Sequence, residues 1–333
     1  MSSNQTKLID ITAYPIAGLL DILLQDKTTK KNIIWATDAY ASYGEGFQDK
    51  NQMFSEVFIS GRALTIRPRI EKAIEEQQER TKKKAEVFTP AWLCNQMNNY
   101  LDEDYFGNKD VFNIENIDHT WEYKKDKIAF KGKWQDYIKL RYLEITCGEA
   151  PFLVSRYDTS TGELILPPFN RIGLLDRKLR VVSENTESEE DWLKWTIKAY
   201  QNIYGYEYQG DNLLIARINL LLTFVDYYKG KFKKEPDFKL LKSIANIISW
   251  NIWQMDGLKC VVPFSCRDIK ETYHQMNLFE DTEEEKIIRC PGCEQDDMFS
   301  HTGIYCKIYD WTNLKKSIPF VEVLKAGVSR GKI

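Results

Sequence analysis

The chain has 333 residues, 43% hydrophobic and 29% charged, with a formal net charge of −3, so it is long enough for a substantial core and has no global positive field for nucleic acid. No apolar run reaches the ~20 residues that span a bilayer, and the stretch from Met1 to Lys7 lacks the apolar core of a signal peptide. Seven cysteines, an odd number, read as reduced thiols with room for one metal site rather than as a disulfide framework, and the expectation is a cytoplasmic protein.

Apolar positions from Leu8 to Leu24, interrupted by Pro15, predict a short helix after that proline. Residues 30–47 read as a strand or buried segment that ends in a glycine-rich loop. Pro68 suits a helix start, and Ile70, Ala73 and Ile74 give the following helix a short apolar face. Its second half is polar, which fits a solvated helix face. The sharper alternative is that Arg80, Lys82, Lys83 and Lys84, with Arg62, Arg67 and Arg69, contact a phosphate backbone. Thr89 and Pro90 then read as a cap and first position of another helix, whose free N–H groups suit a carboxylate.

The stretch Arg141 to Arg156 carries the most chemistry. Tyr142, Leu143 and Ile145 read as the end of a buried strand, Thr146 to Ala150 as a tight turn about Gly148, and Phe152 to Arg156 as the start of a helix. Strand, turn and helix N-terminus together form a nucleotide cradle at the edge of a parallel sheet. Residues 157–200 look like an insertion, with Asp176 on a surface helix. A second strand ends near Glu207, before a helix that is apolar nearly all round from Asp211 to Val225 and is expected to be buried. A strand-end carboxylate can accept both hydrogen bonds of a ribose diol, which makes Glu207 a candidate. Asp256 ends a third strand, ahead of Gly257.

The order Val-Phe-Thr-Pro, then Leu-Glu-Ile-Thr-Cys-Gly-Glu-Ala-Pro-Phe-Leu, resembles the adenine-N6 DNA methyltransferases of restriction–modification systems, over roughly residues 60–260. The resemblance implies a three-layer Rossmann-like sheet of the class I S-adenosylmethionine (SAM)-dependent methyltransferase type. Thr89 and Pro90 would meet the SAM carboxylate, and Glu144, Cys147, Gly148 and Phe152 the methionine part. Glu207 would take the ribose and Asp256 the adenine amino group. Ala150 stands where the family often has a second glycine.

The family's Asn/Asp/Ser-Pro-Pro-Tyr/Phe loop, which holds the target amine and stacks on the flipped base, is absent from these residues. Pro167-Pro168-Phe169 is preceded by Leu166 and precedes the second strand. The expectation is therefore a methyltransferase subunit of a restriction–modification or related defence system. It would act on DNA with a partner chain that supplies catalysis and target recognition. The alternatives are a non-catalytic SAM-binding, DNA-associated regulator and a structural protein with an emptied site.

Near the C-terminus, Cys290-Pro-Gly-Cys293 has the spacing of a knuckle in which two thiolates share a tetrahedral zinc. His301 and Cys306 can complete the set, with Cys266 as an alternative ligand; free thiols on a loop are the plainer account. The organisation expected is a helical extension over 1–85, a SAM-binding domain over 86–265 and a cysteine-rich, zinc-stabilised appendage over 266–333.

Overall fold

A computed structural model describes residues 7–59, 64–84, 86, 89–276, 281–312 and 315–329. The apolar cluster behind Pro15 folds as a single turn and helix α1 (Leu20–Leu24), burying Leu19, Leu20, Leu23 and Leu24. Residues 30–47 make isolated bridges and short turns rather than a strand. Residues 33–37 are largely buried all the same, while most of 42–46 is exposed. Ile33 and Trp35 enter the core, and the Gln254 side chain clamps Ile34, accepting from its N–H at 2.9 Å and donating to its carbonyl at 2.8 Å.

Helices α2 (Ser55–Ile59), α3 (Ile74–Lys84) and α4 (Ala91–Phe106) follow, then a hairpin of β1 (Asn113–Glu115) and β2 (Trp121–Tyr123), and α5 (Trp134–Ile138). The centre is a parallel sheet of β3 (Tyr142–Glu144), β4 (Ile203–Glu207) and β5 (Ile252–Gln254), in that spatial order. Parallel neighbours need long crossovers. Helices α6 (Leu174–Asn185) and α7 (Glu189–Gln201) supply the first, and α8 (Gly210–Phe232) and α9 (Phe238–Asn251) the second. Residues 157–200, expected to be an insertion, are thus mostly the connection that makes β3 and β4 parallel. After β5 come the ribbon β6 (Ile269–Met276) and β7 (Asp281–Ile288), α10 (Pro291–Gln295), the pair β8 (Lys307–Tyr309) and β9 (Ser317–Pro319), and α11 (Phe320–Ser329).

Two expectations about burial are reversed. Leu143 and Ile145 were expected inside but are 43% and 64% exposed, because β3 is an edge strand of this sheet. Asp176 was expected on a surface helix but is fully buried, with Arg177, Lys178 and Arg180 beside it. Each of these charges has a built partner. Asp176 accepts from the Ser155 N–H at 2.8 Å, Arg177 pairs with Asp102, and Lys178 donates to the carbonyls of Ile138 and Leu140. Burial pushes the Lys178 ammonium well below its usual range.

A buried ion cluster joins the N-terminal third to the sheet. Asp211, in the first turn of α8 and fully buried, pairs with Lys72 at 3.1 Å and Arg80 at 2.9 Å, and accepts from the Tyr40 hydroxyl at 3.0 Å. Arg80 also reaches Glu86 at 2.6 Å, and Glu86 accepts from Gln209 and Asn212. Burial works to raise the Asp211 carboxyl pKa, but the two cations outweigh it and hold the group well below the ordinary carboxylate range. The helix N-terminus favours the same charge.

Arg80, a candidate for phosphate contact, is therefore spent inside the protein, whereas Arg67 and Lys82 are exposed. Arg62 lies outside the described residues, as do the side chains of Lys83 and Lys84. Removing one member of a buried pair strands the others. Asp211→Ala is expected to cost about 3–5 kcal/mol of unfolding free energy, read from urea denaturation, while Lys82→Ala should change it by less than about 0.5 kcal/mol.

Candidate cofactor cavity and metal centre

The chain leaves β3 into a turn that holds three left-handed residues in alternation: Thr146 (φ 45°), Gly148 (φ 54°) and Ala150 (φ 64°). Glycine takes that conformation freely, and the other two do so only where the surroundings impose it. Pro151 follows, and no helix forms over Phe152 to Arg156, contrary to expectation. Buried carboxylates accept from the backbone N–H groups this irregular path leaves open. Glu144 accepts from Phe152 at 3.3 Å and Leu153 at 3.2 Å, Glu207 from Gly148 at 2.9 Å, and Asp176 from Ser155.

Between this turn and α4 lies a cavity of about 550 Å³. Five residues expected at a cofactor, Thr89, Glu144, Cys147, Gly148 and Phe152, line it together. The rest of its wall is chiefly apolar, with Met97, Tyr100 and Leu101 from α4 facing Leu143 and Ile145. An apolar cleft with a few polar groups, at the carboxyl end of a parallel strand, is where small-molecule ligands sit in α/β proteins. The α4 residues were not singled out in the sequence. Their signal was the spacing of Met97, Tyr100 and Leu101 on one helix face directly after the Thr-Pro pair.

Asn98 also lines the cavity; its Nδ2 donates to the carbonyls of Phe152 and Ile172, while its Oδ1 has no partner in the protein.

The remaining predicted residues lie elsewhere. Pro90, not Thr89, occupies the N-cap position of α4 and makes no side-chain cap. The Ala91 N–H at this helix start is instead taken by Asp158 at 3.0 Å, and the Thr89 carbonyl accepts from the Thr159 hydroxyl. Glu207 is buried behind the turn and does not line the cavity; besides Gly148 it accepts from the Gln209 N–H at 3.1 Å. Asp256 likewise lies off the cavity wall and opens the turn that follows β5, accepting from the Leu258 N–H at 3.2 Å.

Three sulfurs surround His301. The Sγ atoms of Cys266, Cys290 and Cys293 each lie 3.6 Å from its Nδ1, and the four ligand atoms are within 4.8 Å of one another. One ring nitrogen cannot hydrogen-bond three sulfurs equally. Donors at about 2.3 Å (S) and 2.0 Å (N) from a tetrahedral metal lie about 3.5 Å apart, so the spacing fits a metal ion.

The electrostatics agree. Burial works to raise the Cys290 thiol, but hydrogen bonds from Thr302, the Cys293 N–H and His301 bring it down to about 5. Cys266 is pushed up by burial and by its two neighbouring sulfurs. Three sulfurs this close can all be held as thiolates only with a cation between them. Close packing fixes the knuckle, since a Cβ on Gly292 would stand 2.7 Å from the His301 ring.

Cys306, expected among the ligands, is not part of this set. Its thiol is fully buried between sheet and appendage and donates to the Gln254 carbonyl at 3.3 Å, so Cys266 takes the fourth place.

Compared with protein-family models, curated proteins and solved structures, the chain matches none.

The buried carboxyls set a pH dependence. Burial, chiefly, raises Glu144 from 4.5 to about 8 and Glu207 and Glu149 from 4.5 to about 7. A carboxyl whose pKa rises on folding binds its proton more tightly in the native state. Its contribution is complete below the unfolded value and is lost as pH climbs through the folded one. Stability should therefore fall between about pH 5 and pH 8, and Glu144→Gln should flatten that fall in urea midpoints measured across the range.

Proposed function

We propose that this chain is the SAM-binding part of a DNA adenine-N6 methyltransferase, and that its parallel strands belong to a class I Rossmann-like methyltransferase sheet. The observation that carries the reading is the gathering of Thr89, Glu144, Cys147, Gly148 and Phe152, which are separated by up to 63 positions of sequence, around one cavity at the end of β3. In this reading the apolar wall takes the methionine chain, and the Glu144 carboxyl, buried at the cavity, accepts from its ammonium. Glu207, off the cavity wall, acts on the ligand only through the turn, by holding the Gly148 N–H.

The catalytic Asn/Asp/Ser-Pro-Pro-aromatic loop is not among the 333 residues. Methyl transfer then depends on a further polypeptide segment, which also reads the DNA target. A SAM-binding regulator without catalysis is distinguished by whether any added segment restores turnover.

Calorimetry with SAM tests the site. The wild type is expected to bind one equivalent. Ile145→Trp, at an exposed position on the wall, should weaken binding at least tenfold without loss of stability. Glu207→Ala, which frees the Gly148 and Gln209 N–H groups behind the cavity, should weaken it by at most about 1.5–3 kcal/mol. Equal binding by all three chains would remove the cavity from consideration, and methylation of adenine by the purified chain alone would refute the need for another segment.

For the Cys266, Cys290, Cys293 and His301 set we propose a structural zinc, the ion whose preferred geometry and soft donors match three thiolates and one imidazole. Metal analysis is expected to find one zinc per chain, lost in Cys290→Ser and kept in Cys306→Ser.

A further inference from the structure

Helix α9 turns to solvent a face unlike the rest of this chain. Phe238, Lys239, Lys242, Ser243 and Asn246 are exposed and Trp250 is half-buried, while Leu241, Ile244, Ile247 and Ile248 pack into the core. The helix holds no carboxylate in its 14 residues, although acidic residues outnumber basic ones in the chain by 49 to 46.

Other segments continue the face. The Lys27 ammonium donates to Asn246 Oδ1 at 2.8 Å, and the Lys30 ammonium stands 5.0 Å from the centre of the Trp250 ring. At the start of the helix the Lys242 ammonium stands 4.9 Å from the Phe238 ring. Beyond Trp250 the line runs to Tyr309, 5.3 Å away between ring centres, and then to Trp311, a further 4.5 Å. Cations and rings thus alternate along the length of α9, which rises about 21 Å.

Neither set is used up within the protein. Among the described residues, none of Lys27, Lys30, Lys239 and Lys242 has a carboxylate at ion-pair distance. The flanking acids serve their own turns, Asp237 accepting from the Leu240 N–H at 2.8 Å and Asp310 from the Thr312 N–H at 3.0 Å. Burial, chiefly, with Arg217 and Lys30 close by, lowers Lys27 to about 8, so an anion at this spot stabilises its charge. The polar atoms of the rings are already bonded: Trp311 Nε1 donates to the buried Asn251 side chain at 2.8 Å, and the Tyr309 hydroxyl to the Lys315 carbonyl. What these half-buried residues offer outside is ring surface.

We propose that the outer face of α9, continued by Lys27, Lys30, Tyr309 and Trp311, tracks a single-stranded nucleic acid, its phosphates on the ammonium groups and its bases on the rings. An acidic peptide would use the cations and leave the rings idle, and a duplex keeps its bases stacked on one another. Ring surface and ammonium groups supply affinity without reading sequence. The inference is independent of the cofactor cavity and of the metal centre, so either of those readings can fail without it.

Fluorescence anisotropy of the full chain with a labelled oligodeoxythymidylate of about 15 nucleotides, a length such a surface can cover, tests the proposal over a salt series. Wild type is expected to bind the strand, more tightly than a duplex of the same length, with affinity falling as salt rises. Each phosphate contact on a single strand contributes about 0.7 to the slope of log affinity against log salt, so Lys30→Gln combined with Lys242→Gln should lower that slope by about 1.4. Trp250→Leu should weaken binding about tenfold and leave the slope unchanged, since stacking releases no counterion. Lys133→Gln, at an exposed lysine ahead of α5, should match wild type.

No binding by the wild type at low salt would overturn the proposal, as would tighter binding of the duplex or an unchanged slope in the double lysine variant. An equal loss in Lys133→Gln would mark a diffuse attraction to the whole chain and overturn it too. Should Trp250→Leu fail to fold, the lysine variants still decide, because both positions are exposed.

Discussion

The turn from Glu144 to Ser155 depends on buried carboxylates, which accept from the N–H groups of Gly148, Phe152, Leu153 and Ser155, while Ala150 and Val154 find carbonyls of the turn itself. Glu144, Glu207 and Asp176 reach it from β3, β4 and α6, and Glu149 within it accepts from the Arg69 N–H at 2.6 Å. The two strand ends and α6 are thereby tied to the turn, and so is the segment ahead of α3. The cavity is the space left in front of that arrangement. The resulting cost is visible in the raised carboxyl pKa values, since each group is held where its charged form is poorly solvated.

The sequence made the strand ends legible because the signals there are local and strong. Glu144, Glu207 and the residues before Asp256 follow short β-rich runs, and each does end a parallel strand or adjoin one. The long apolar run after Asp211 also forms the buried helix it implied, with Leu213, Leu220 and Phe224 in the core.

The parts that were not legible depend on partners distant in sequence. Charged residues on α6 imitate a solvated face, and only Asp102, Ser155 and Phe112 show why they are inside. Cys306 and Cys266 have equal claims on spacing; the fold separates them, seating one against Gln254 and the other against His301. Gln254 clamping Ile34 has no counterpart in any short motif, yet it joins residues 220 positions apart. Where Thr89 was expected to cap α4, Asp158 arrives from a loop that no local rule connects to that helix.

The ribbon of β6 and β7 pairs only with itself among the described residues, over eight residues in each strand. At ~3.4 Å per residue it extends about 27 Å, a lever hinged at one end. Its two roots are Cys266 and Cys290, donors to a single ion-sized space. The cysteine–histidine cluster therefore stands where the ribbon joins the body of the protein, so a load on the ribbon meets that cluster before the parallel pairing of β3, β4 and β5.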